Sequence, residues 1–81
     1  MQFTETEDLL AKFFVEREGE GILSSIRTID FVSSGVIDSL DLISLAVYIE
    51  KNFGVKIDLT RKETLDSIRR FDSLVALIQD L

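Results

Sequence analysis

The sequence predicts an all-α fold: a four-helix bundle of three main helices and one short one, with a long first loop. Three observations carry this. Apolar residues recur at spacings of three and four in three separate stretches, which is how a helix presents one face to a core. Helix-start signatures stand in the chain: Thr4 three residues before Glu7, Asp38 before Asp41, and Thr60 before Glu63. The one alternating run, Val55-Lys56-Ile57-Asp58-Leu59, has no second clear strand to pair with, so an extended link that plugs Val55 and Ile57 into the core is expected instead.

In chain order, Leu9 with Phe13 and Leu10 with Phe14 predict a first helix from about 5 to 17, stopped by Gly19 and Gly21. Between 18 and 38 the periodicity fails. Ile22, Leu23, Ile26, Ile29, Phe31, Val36 and Ile37 are scattered there and can pin a long loop to the core, with a short helical turn around 23–26. The second helix is expected from 39 to about 53. Leu42, Leu45, Ile49 and Phe53, with Ala46 beside them, form its buried row, and Gly54 ends it. Thr60 is expected to open a short helix reaching about 64, after which Leu65 returns to the core. Ser67 is expected to cap the last helix, whose stripe is Ile68, Phe71, Leu74, Val75 and Ile78.

Composition narrows the function. Eighty-one residues, 46% of them hydrophobic, make one domain, 1–81, with a single core. There is no cysteine, so no disulfide framework or thiolate metal site, and no histidine, which removes the commonest general base and metal ligand. The net charge of −6 argues against nucleic acid or an anionic membrane as the main partner and in favour of basic partners. The acidic opening Met1-Gln2-Phe3-Thr4-Glu5-Thr6-Glu7-Asp8 does not read as a targeting segment, and the longest nearly apolar run, 42–49, is too short to span a bilayer. A soluble, cytoplasmic, monomeric protein that is not itself an enzyme is expected.

One segment organises the chain: Gly35-Val36-Ile37-Asp38-Ser39-Leu40-Asp41-Leu42. Asp38 is a good N-cap and Asp41 can reach back to it in a capping box. Ser39 then takes the first helical position with its hydroxyl not needed for capping. The free N–H groups and the helix dipole favour an anion at that end. The segment resembles the attachment site of the carrier-protein family, the acyl carrier proteins and their peptidyl and aryl relatives. The Asp-Ser-Leu hallmark follows Gly-x-x, a lead-in Asp30-Phe31-Val32-Ser33-Ser34-Gly35 precedes it, and a helix ending Ile49-Glu50-Lys51-Asn52-Phe53-Gly54 follows. The triplet alone is weak: Asp66-Ser67-Ile68 and Asp72-Ser73-Leu74 also occur. With its context, the resemblance covers nearly the whole chain.

The resemblance implies that Ser39 is esterified with 4′-phosphopantetheine, drawn from coenzyme A by a phosphopantetheinyl transferase. It implies that Asp38 helps hold the magnesium used during attachment, with no metal in the resting protein. Acyl groups would travel as thioesters on the arm to ligases, ketosynthases or acyltransferases. Without the resemblance, Ser39 reads as an ordinary helix-start serine and Asp38 as an N-cap. Leu40, Ile43 and Val47 lie on the helix side away from Leu42, Leu45 and Ile49, and at the matching family positions such residues meet partner enzymes; Leu40 and Val47 are assigned to that contact face and Ile43 to the core. Asp41 and Glu50 are expected to join the partner face. Ser44, Lys51 and Asn52 stand where the family often has acids, which points to a specialised fatty-acid, polyketide-like or lipid pathway. Arg69-Arg70 reads as a solvated face. Ala46, Ile49, Phe53, Ile57, Leu65 and Phe71 form a core that could open around an acyl chain, although a filled core is the simpler reading and bulky Phe71 argues for a small or closed pocket. An aminoacyl or peptidyl carrier, or an unmodified helical interaction module, are the alternatives.

Overall fold

The computed structural model describes residues 3–80, so Met1 and Gln2 of the acidic opening lie outside it. Among the described residues the order is α1 (Glu5–Glu18), a 3₁₀ helix η1 (Glu20–Ser24), α2 (Ser39–Phe53), α3 (Lys62–Ile68) and α4 (Phe71–Asp80), with no strand. The expected all-α architecture of three main helices and one short one is what the chain forms.

Local chemistry accounts for most boundaries. The Thr4–Glu7 capping box closes in both directions, with the Glu7 N–H donating to Thr4 Oγ1 at 3.2 Å and the Thr4 N–H to Glu7 Oε1 at 2.9 Å. Gly19 ends α1 at φ +86° and Gly54 ends α2 in the left-handed region at φ +71°, where a side chain is disfavoured. The short turn lies a little earlier than expected, at Glu20–Ser24.

The C-terminal third departs from expectation. Thr60 does not cap α3. It forms a local turn with Asp58, whose Oδ1 accepts from both the Thr60 N–H and its hydroxyl. That turn delays α3 to Lys62, so Arg61 takes the N-cap position without a side-chain cap bond. The helix thus starts one residue later than expected. Thr64 is buried instead of Leu65, which is exposed. Ser67 lies within α3 and does not cap α4; its carbonyl accepts from the Ser73 hydroxyl at 2.6 Å. Ile68 is buried as expected but belongs to α3, while Phe71, Leu74, Val75 and Ile78 form the buried stripe of α4.

One core joins all the elements. Leu10 and Phe14 of α1, Ile26 and Phe31 of the long loop, Leu45 and Ile49 of α2, Ile68 of α3, and Phe71 and Leu74 of α4 are fully buried. Burying each such side chain favours folding by about 1.5–3 kcal/mol. Phe14 stacks on Phe31 at 4.2 Å between centroids, which fixes the long loop to α1. Leu42 and Phe53, expected in the buried row of α2, are only half-buried at its edges. Of the residues expected to shelter a chain, Leu65 is outside the core and Phe71 is completely enclosed. A surface groove of about 250 Å³ is lined by Ile57, Thr64 and Leu77 and rimmed by Lys56, Asp58 and Arg61; Ile57 is the only member of the expected set on it.

Arg27 ties the ends of the fold together. Its guanidinium donates to Glu7 of α1 and Asp72 of α4, both at 2.7 Å, and lies over the rings of Phe3 and Phe71. The Thr4 amide and then Arg27 hold the Glu7 carboxyl below its ordinary value.

Candidate functional site

The site begins at Phe31. Its side chain is enclosed, its N–H donates to the Arg69 carbonyl at 2.7 Å, and its own carbonyl accepts from the Ile37 N–H at 2.9 Å. Ile37 is buried too, so the segment entering α2 is anchored at both ends while residues 32–35 arch outward. Gly35, at φ +82°, turns the chain back toward the helix.

The Asp38–Asp41 capping box then starts α2. The Asp41 N–H donates to Asp38 Oδ1 at 2.9 Å, and the Asp38 N–H to Asp41 Oδ2 at 3.1 Å. Ser39 follows at the first helical position, exposed, and its hydroxyl makes no hydrogen bond among the described residues. The N–H groups of Ser39 and Leu40 have no intrahelical acceptor, as at any helix start. Exposed hydroxyl, free amides and helix dipole together suit a covalently held phosphate. Asp38 sits beside it, exposed, at a small electrostatic cost to that anion.

Along α2, Leu40, Ile43 and Val47 are 76%, 57% and 58% exposed. The assignment of Ile43 to the core is therefore corrected. Positions 40, 43 and 47 share one outward face, opposite Leu45 and Ile49, and 43 belongs to it by helical spacing. The acids are less available. Asp41 is half-buried and paired with Arg17 of α1, and Glu50 is half-buried with its Oε2 accepting from the Ile57 N–H at 3.2 Å.

Arg69 is not a merely solvated residue. Its Nε donates to Asp30 Oδ2 at 2.9 Å and its Nη2 to Ser33 Oγ at 3.0 Å. Asp30 Oδ1 accepts from the N–H groups of Val32 and Ser33, at 3.0 and 2.9 Å. The Ser33 amide, then Arg69 and then the Val32 amide hold the Asp30 carboxyl below its ordinary value. Arg70 is exposed, as expected. The Asp30 turn had a readable signal, an aspartate followed by free loop amides. Its pairing with Arg69, 39 residues on, and that of Arg17 with Asp41 had none.

The fold and this site define a class: a small helical bundle that offers one serine hydroxyl at the start of its second main helix. The sequence pattern of the phosphopantetheine attachment site matches residues 20–78, most of the chain. The chain belongs to that family and is a carrier protein for 4′-phosphopantetheine. Carrier domains of this kind are not catalysts; they interact with phosphopantetheinyl transferases and acyl-handling enzymes. Comparison with curated proteins and with solved structures gave no match. Among the described residues, no helix is long and apolar enough to cross a membrane.

Proposed function

We propose that Ser39 is the residue that takes the 4′-phosphopantetheine, and that the chain carries acyl groups between enzymes in the cytoplasm. The observation carrying this reading is a comparison of three triplets. Ser67 of Asp66-Ser67-Ile68 is half-buried inside α3. Ser73 of Asp72-Ser73-Leu74 is half-buried, its hydroxyl engaged by the carbonyls of Ser67 and Arg70. Ser39 alone of the three combines an exposed, unengaged hydroxyl with the first position of a helix.

The bound group supplies a flexible arm whose thiol holds the cargo as a thioester, chemistry this cysteine-free chain lacks. The chain's own residues supply the attachment. Ser39 offers the oxygen, and the Ser39 and Leu40 amides with the α2 dipole offset the charge placed there. Asp38 leaves one carboxylate oxygen outside the capping box, which suits the magnesium needed during attachment. Leu40 and Val47, now with Ile43, form the contact row for the transferase and for ligases, ketosynthases or acyltransferases. Asp41 and Glu50 contribute at its margins, because each already serves another group.

The net charge of −6 and the acids flanking Ser39 support acyl over aminoacyl cargo. Ser44, Lys51 and Asn52 interrupt the acidic face and support a specialised fatty-acid, polyketide-like or lipid pathway. Ser39→Ala is expected to lose all loading while its helical circular dichroism stays unchanged. The loaded wild-type chain, offered fatty-acyl-activating and amino-acid-activating ligases, is expected to accept from the former. Acceptance only of amino acids would overturn the cargo assignment, and loading of Ser39→Ala would overturn the site.

A further inference from the structure

The arch formed by residues 32–35 is the surface immediately upstream of Ser39, and one side chain closes it from outside. Arg69, at the junction of α3 and α4, reaches across to Asp30 and Ser33 with two separate nitrogens. Asp30 uses its other oxygen to hold the amides of Val32 and Ser33. The Ser34 N–H donates to the Asp30 carbonyl at 2.9 Å, and the Gly35 N–H to that of Val32 at 3.2 Å. A guanidinium is suited to this task because its planar donors can serve two acceptors at once.

We propose that Arg69 is a positioning residue for the attachment reaction, holding the 32–35 arch in the shape a phosphopantetheinyl transferase meets beside Ser39. The proposal rests on the assignment of Ser39 as the attachment residue. It differs from a role in folding for a specific reason. Phe31 stays anchored by its buried ring and by the Arg69 backbone carbonyl, neither of which depends on the Arg69 side chain. Removing the guanidinium therefore loosens the arch and leaves the core intact. A loosened docking surface costs encounter and orientation, so the loss falls on KM more than on kcat.

The test compares wild type, Arg69→Gln, Arg69→Lys and Asp30→Asn as substrates of a broad-specificity phosphopantetheinyl transferase with coenzyme A and magnesium, alongside amide hydrogen exchange. For Arg69→Gln, KM for the carrier is expected to rise about tenfold with kcat within about twofold. Exchange is expected to quicken at residues 32–35, while Leu45 and Ile49 keep their protection. Arg69→Lys, which keeps the charge but lacks the two separate nitrogens that reach Asp30 and Ser33, is expected to fall between. Asp30→Asn keeps the turn acceptor and loses the ion pair, and is expected to match Arg69→Gln. An unchanged KM with wild type readily modified would overturn the positioning role alone. So would loss of protection at Leu45 and Ile49, which would make Arg69 a fold residue. A wild-type chain that takes no group at Ser39 would overturn the attachment assignment and this proposal together.

Discussion

Phe31 should govern both stability and the site, and its replacement gives a graded test. The ring is fully enclosed and stacked on Phe14 at 4.2 Å. Truncating such a residue to alanine removes buried area and leaves a cavity, at a cost of about 3–5 kcal/mol. At roughly 0.05–0.15 kcal/mol per residue, an 81-residue chain has about 4–12 kcal/mol of total stability. Phe31→Ala is therefore expected to remove at least about a quarter of that stability. Phe31→Leu keeps most of the volume and loses the aromatic pair, at about 1–2 kcal/mol. That corresponds to a drop in Tm of about 5–15 °C for a chain of this size. Urea titration followed by circular dichroism measures both variants. An unchanged m-value for Phe31→Leu is expected, because the amount of surface exposed on unfolding is the same. Val32→Ala, at an exposed neighbour, serves as control and should change stability by less than about 0.5 kcal/mol. If Phe31→Ala costs no more than Val32→Ala, the long loop is not anchored through Phe31 and the description of the site's foundation is wrong.

Other outcomes follow from the same structure. Leu40→Ala, Ile43→Ala and Val47→Ala should each leave stability within about 0.5 kcal/mol while slowing loading by partner enzymes, since these side chains are exposed; a drop of several degrees in Tm would place them in the core. Gly54→Ala should destabilise by about 1–2 kcal/mol, because space is open around the position and only the left-handed backbone resists a side chain; an unchanged urea midpoint would contradict that. Glu7 gives a pH signature. Its folded pKa lies below its ordinary 4.5, so the stability it contributes is present above that value and is lost as pH falls through the lowered one. The gap in urea midpoint between wild type and Glu7→Gln should therefore be open at pH 7 and narrow at low pH; a gap that widens on acidification would refute the Arg27–Glu7 assignment.

Helical spacing and capping made α1 and α2 legible, because the signals that start and end them are local: Thr4 with Glu7, Asp38 with Asp41, and a glycine after each. The same logic failed at Thr60, where two local solutions compete. A threonine can cap a helix or close a turn onto an aspartate two residues before it, and Asp58 won. α3 therefore starts one residue later than expected, and Thr64 lies inside where Leu65 was expected. Ile43 was misplaced for a different reason: helical spacing put it on the outward face with Leu40 and Val47, and its apolar character was weighed above that spacing. The place of Ser39 at the first position of α2 was readable because its capping signals are local. The ion pairs were not, because Arg17, Arg27 and Arg69 find their partners across 20 or more residues of chain, as with Arg27 and Glu7 at a separation of 20 and Arg69 and Asp30 at 39.

The central claim, that Ser39 carries the prosthetic group, is tested most directly by intact mass. The folded chain is incubated with coenzyme A, magnesium and a broad-specificity phosphopantetheinyl transferase, then fragmented to locate any addition. A gain of one phosphopantetheine on the peptide containing Ser39, absent from Ser39→Ala, is the expected result. A gain at Ser67 or Ser73, or none with several transferases acting on a chain shown to be folded, would contradict it.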